Sequence, residues 1–112
     1  MAIALVYAVF ADREEADRIG HMVVEERLAA CVNILGRIDS IYRWQGKVET
    51  GSECAALFKT GASMATALSA RIVALHSYEN PAILTLPAVD APLPFLHWIG
   101  METGAGGNED KH

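Results

Sequence analysis

The sequence predicts an α+β fold: an antiparallel sheet of four strands covered on one face by two helices, with one more helix at the end. Three observations predict it. Apolar side chains recur at helical spacing in two separate segments. Between those segments lies a long stretch with a period of two, broken by a single tight turn. Short apolar runs flank the whole. The order is β-α-β-β-α-β-α, and its first six elements have the split βαβ order of ferredoxin-like domains.

The first strand is read over residues 2–10, a continuous run of apolar and β-forming residues that suits a central position. The run lacks a basic leader and is followed at once by DREEADR, so it reads as a buried strand and not as a signal or a membrane span. On that reading the protein is expected in the cytoplasm. The first helix opens at Asp12 as N-cap, with Glu15 three residues later in a capping-box arrangement. Ala16, Ile19, Val23 and Ala30 recur at helical spacing, widened by Met22 and Val24. Gly20 lowers helix propensity and is expected where the helix lies close to a neighbour.

From Cys31 the period becomes two. Strict alternation places Val32, Ile34, Ile38, Tyr42 and Trp44 on one face, and Asn33, Arg37, Asp39 and Arg43 on the other. QGK is a turn, and VETGSECAALFKT returns as a strand with Ala56 and Phe58 facing one way and Leu57 the other. Gly36 is expected to mark a bulge. A second helix is predicted over 63–76, capped by Ser63, with Met64, Leu68, Ile72 and Leu75 as its apolar stripe. AILTLP is a short strand, and APLPFLHWIG a last helix with proline in its first turn. One domain is expected over 1–102, followed by a glycine-rich polar tail over 103–112.

One length does not suit an isolated chain. A 14-residue strand spans about 45 Å, whereas a domain of this size has a radius of gyration of about 13 Å. The hairpin tip, with Tyr42 and Trp44, must overhang the body. An overhanging aromatic hairpin is expected to pair with another copy.

Composition excludes several classes. The 112 residues carry a net charge of −5, which argues against nucleic-acid binding through a basic stripe. Cys31 and Cys54 are too few for a disulfide framework, and no zinc-type spacing, nucleophile elbow or phosphate loop occurs. No nucleophile–base pair is visible, so no enzyme activity is expected. The polar cluster His76, Tyr78 and Glu79 in HSYENP stands at the end of the second helix. His76 can cap the helix carbonyls, Tyr78 can be a half-buried core ring, and Glu79 a surface charge. Alternatively they form a site. Lys59, after the apolar AALF, either reaches water or faces an anion in a pocket.

ERLAACVNI, SIYRWQGKVE, LFKT, HSYENPAIL and FLHWI together resemble the CutA family of divalent-cation tolerance proteins, over residues 3 to 100. The resemblance implies ferredoxin-like subunits in a homotrimer similar to PII-type signalling proteins, with hairpins paired between neighbours. It implies a link to tolerance of copper and other divalent cations, and no enzymatic reaction. A cation or small ligand would sit in a cleft between subunits, lined by Tyr42, Trp44, Lys59, His76, Tyr78 and Glu79. The alternative is a structural or interaction trimer with no dedicated metal site. The family's motif H-P-Y-E-x-P-E is altered here, with Ser77 for its first proline and Ala82 for its last glutamate. Copper ligands proposed for some members fall at Ala8, Leu75 and His76, so only His76 keeps a ligating side chain. Weak binding of copper or zinc through His76 is the expectation that follows. Neither nucleic acid nor a membrane is an expected partner.

Overall fold

A computed structural model describes residues 2–104. It contains β1 (Ile3–Phe10), α1 (Arg13–Glu25), β2 (Cys31–Trp44), β3 (Lys47–Gly61), α2 (Ala65–Leu75), β4 (Ile83–Pro87) and α3 (Leu93–Glu102). The strands form one antiparallel sheet in the order β2-β3-β1-β4. The predicted fold class and element order hold.

β1 is central because both of its faces are apolar. Val6, Ala8 and Phe10 are fully buried under the helices, beside Ala56 and Phe58 of β3. α1 contributes Ala16, Ile19 and Val23 to this core, and α2 contributes Leu68 and Ile72. Asp12 Oδ1 accepts the Glu15 amide at 2.8 Å, so the predicted N-cap forms. Gly20 does meet a neighbour: a Cβ there would lie 3.1 Å from Val32 Cγ1 of β2. Ser63 does not cap α2. The chain leaves β3 through a 3₁₀ turn over Ala62–Met64, which puts Ser63 inside the turn and Met64 at the N-cap, without a side-chain bond.

α3 lies on the other face of the sheet, where Ile99, Phe95 and Leu96 pack on Ile3 and Ala30. Its end is tied down. Thr103 is buried and its Oγ1 donates to the Ile99 carbonyl at 2.8 Å, while the Gly104 amide donates to the Arg27 carbonyl at 2.8 Å. The first two residues assigned to the tail therefore belong to the domain, and the remaining tail residues, 105–112, lie outside the described ones. Arg27 closes α1 with φ +64°, and its guanidinium donates to the Met101 carbonyl at 2.7 Å.

Beyond α3 this second face is open. Leu5 pairs with Leu86 and Tyr7 with Leu84 and Leu57, so their side chains share that face. Leu84 is 62% and Leu86 45% exposed, an apolar surface beside α3.

The β2–β3 hairpin closes through Gln45 and Gly46, both at positive φ, the geometry of a two-residue type I′ turn. It overhangs as its length requires: the molecule measures 54 × 26 × 21 Å. Strict alternation does not survive along β2. Ile34 pairs with Ala56 but Gly36 pairs with Ala55, so Leu35 is an extra residue, and Gly36 takes φ +103°. Past this bulge Arg37 pairs with Cys54 and Ile38 with Glu53. Val32 and Ile34 therefore face the helices, whereas Ile38, Tyr42 and Trp44 face the open side. Their predicted common face is corrected by one residue of register.

Candidate functional site

The polar cluster forms where β1 ends. α2 stops at Leu75, and His76 turns extended (ψ 145°), so its side chain swings back over the sheet. The imidazole is fully buried and stacks on Phe10, with ring centroids 5.0 Å apart and 12° between planes. Its Nε2 lies 2.7 Å from the Val9 carbonyl oxygen, and its Nδ1 lies 3.0 Å from the Tyr78 amide nitrogen. A main-chain amide can only donate and a carbonyl can only accept. The two contacts therefore define one tautomer, with the proton on Nε2 and the lone pair of Nδ1 taken by Tyr78.

The Tyr78 ring lies 4.8 Å from His76, and its hydroxyl donates to Glu53 Oε2 at 2.8 Å. This contact exists because β1 has ended at Phe10, opposite Cys54, leaving room beside β3. Burial and the Glu53 carboxylate push the Tyr78 phenol up to about 12.

Glu15 completes the cluster, although in the sequence it stands out only as part of a helix cap. Its buried carboxylate accepts the Ala11 amide on Oε1 at 3.0 Å and the Ser77 amide on Oε2 at 2.7 Å. Burial raises its pKa, but these hydrogen bonds outweigh burial and hold the carboxyl below its ordinary value. The signal was present in the spacing Asp12–Glu15. What it lacked was the second partner, 62 residues away in sequence.

A cleft of about 250 Å³ opens between the start of α1 and the root of the hairpin, lined by Asp12, Arg13, Gly36, Arg37, Ser52, Glu53 and their neighbours. Arg37 Nε donates to Ser52 Oγ at 2.7 Å and its Nη2 to Asp39 at 2.9 Å. None of these lining residues stands out in the sequence as a ligand-binding group.

Of the six residues expected to share a cleft, one chain brings together two, His76 and Tyr78. Glu79 is exposed on the same turn. Lys59 pairs with Leu5, four residues or about 13 Å along β1 from Val9, on the face opposite to the one where His76 stacks on Phe10. Its ammonium lies 5.9 Å from the Phe95 ring centroid of α3. Tyr42 and Trp44 lie on the hairpin, 43% and 54% exposed, with the Tyr42 hydroxyl leaning back over Gly51 and near enough to Tyr78 to add slightly to the rise of its phenol pKa. Within one subunit the set is split into three places.

His76, the expected metal ligand, offers no open coordination position within one chain. Both ring nitrogens are engaged by the main chain, and the ring is sealed from solvent. Ala8 is buried in the core and Leu75 packs against it, so neither position offers a donor. Among the described residues no group of three or more His, Cys, Asp or Glu is placed to hold an ion. Cys31 is no better suited to nucleophilic chemistry. Burial pushes its thiol up, against the opposing pull of Lys59, which disfavours the reactive thiolate. No helix among the described residues is long and apolar enough to cross a membrane.

Comparison with known proteins places this architecture. The family model described as CutA1 divalent ion tolerance protein matches residues 4–102. The divalent-cation tolerance protein CutA of Thermus thermophilus is 44% identical over 91 residues, covering 81% of this chain and 88% of that protein. Protein CutA of Mus musculus is 36% identical over 107 residues, 96% of this chain and 60% of its own length. The chain likewise spans 56% of a rice relative named as chloroplastic. Among solved structures, the divalent cation tolerance protein Cut A1 of Thermus thermophilus superposes with a TM-score of 0.87 at 40% identity, covering 91% of this chain and 99% of that one. CutA1 of Oryza sativa gives 0.90 at 34% identity, covering 94% and 96%. A structure from Archaeoglobus fulgidus at 35% identity and TM-score 0.86, covering 89% and 97%, is named as a periplasmic divalent cation tolerance protein. With its domain matched from the first strand to the last helix, this chain belongs to the CutA1 divalent ion tolerance protein family.

Proposed function

We propose that the protein works as a PII-like homotrimer in the response to divalent metal ions, copper or zinc among them, and binds a cation or small ligand in a cleft between subunits. One observation carries this reading: residues expected in one site are split over three places in a single chain, and the surfaces that carry two of them are bare. Lys59 lies on the open sheet face beside exposed Leu86, and Tyr42 and Trp44 on an overhanging hairpin. Burying such surfaces favours association by about 25 cal/mol per Å² of apolar area. A neighbour's hairpin laid across an open sheet would bring Tyr42 and Trp44 to another subunit's cluster. The protein acts by binding and not by catalysis, and cytoplasmic residence suits its two free cysteines.

Sedimentation at micromolar concentration should give three times the 12.1 kDa chain mass. Calorimetric titration of that trimer with Cu²⁺ or Zn²⁺ should show saturable heat. A folded monomer would overturn the assembly. A trimer without binding heat would favour the alternative, a structural or interaction trimer with no metal site, for which the engagement of both His76 nitrogens already speaks.

A further inference from the structure

Resting on the proposed function only for the supposition that a divalent ion is bound, we propose that His76, Ser77 and Tyr78 form a latch that positions the hairpin root, and that no divalent ion bound by this chain is held by His76. Three consecutive residues are tied to three different elements. His76 Nε2 donates to Val9 at the end of β1. The Ser77 amide donates to Glu15 in the first turn of α1. The Tyr78 hydroxyl donates to Glu53 of β3, in the wall of the cleft. A fourth bond, from the Tyr78 amide to His76 Nδ1, holds the turn against the ring.

The commitments are chemical as well as geometric. An imidazole coordinates a metal through an unprotonated nitrogen. The proton-bearing Nε2 faces a carbonyl, so only Nδ1 has a lone pair, and it already accepts the Tyr78 amide. Coordination there would orphan a buried amide and require an ion to reach a sealed ring. The nearest carboxylate oxygen, Glu15 Oε2, is 4.0 Å from Nδ1 and is itself occupied by Ser77. Glu53 differs: its Oε2 is held by Tyr78, and its Oε1 has no protein partner among the described residues. The latch thus fixes a carboxylate at the cleft while withholding the imidazole.

The full chain labelled with ¹⁵N tests this through long-range proton–nitrogen spectra of the histidine rings, first alone and then with ZnCl₂ up to one equivalent per chain. The latch requires the Nε2–H tautomer at His76 before metal is added, and ring signals at His76 that stay in place while those of exposed His21 or His97 shift. An Nδ1–H tautomer, or a shift of His76 Nδ1 at substoichiometric zinc, overturns the latch. Calorimetry on the same samples reports cation binding separately, so absent heat sinks the cation reading while the tautomer still decides the latch. Glu15→Gln supplies a second variant: it should lower the melting temperature and return the Tyr78 phenol titration toward its ordinary value. An unaltered Tyr78 titration in a destabilised Glu15→Gln variant overturns the coupling of Glu15 to Tyr78.

Discussion

Glu15 and Tyr78 give the cluster a pH dependence with opposite signs at its two ends. Glu15 titrates below its ordinary value of 4.5 in the folded chain, because two amides hold the charged form. Its contribution to stability is complete above the unfolded pKa and is lost as pH falls through the lower, folded one. Tyr78 is the reverse: its phenol is raised from 10.0 to about 12, so its contribution is complete below pH 10 and fades as pH rises through 12. Tyr78→Phe removes the donor to Glu53 and should cost about 1–2 kcal/mol, measured by urea unfolding at pH 7. It should also flatten the alkaline limb of the stability profile; an unchanged limb would mean that Tyr78 plays no part in it. His76 and Tyr78 were legible in the sequence as a polar pair at a helix end. Glu15 was legible only as a cap, since a short spacing announces a local bond and nothing announces a distant one.

At the scale of elements, all seven were legible, the helices and the hairpin from periodicity and β1 and β4 from short apolar runs. What failed was phase. Alternation counted straight through the bulge at Gly36 puts Val32 and Trp44 on one face. The bulge adds Leu35, and every residue beyond is turned over. The Ser63 cap failed for a related reason: the turn after β3 consumed the residue that would have capped the helix. Gly36 has open space for a Cβ but stands at φ +103°. Gly36→Ala should therefore cost about 1–2 kcal/mol through backbone strain alone, without a clash. Thermal melting checks it; an unshifted midpoint would mean that the bulge relaxes to a negative φ at no cost.

At the scale of the whole molecule, a strand too long for its domain was the most informative feature of the sequence, and the 54 Å dimension carries it into the structure. The candidate site was less legible, because Lys59, the HSYENP turn and the hairpin tip lie in different parts of a single chain. If the tip is buried on a neighbour, Trp44→Ala should weaken assembly by about 3–5 kcal/mol, the cost of truncating a buried aromatic. Sedimentation across a dilution series reads this as dissociation at concentrations where the parent stays assembled. An equally stable assembly would place the tip in solvent.

The bulge also makes the hairpin a lever. From Gly36 to Trp44 the arm is eight residues, about 26 Å long. A change of about 10° in the bend at its root would carry the tip about 4–5 Å, the width of a strand spacing. Leu35 sets that bend, and Glu53, held by Tyr78, pairs with Ile38 just beyond it. Small changes at the root, whether a deleted Leu35 or a loosened Tyr78, would thus be felt chiefly at the far end of the arm. In the proposed assembly they would appear as a hairpin that misses its neighbour, in a subunit whose own core is untouched.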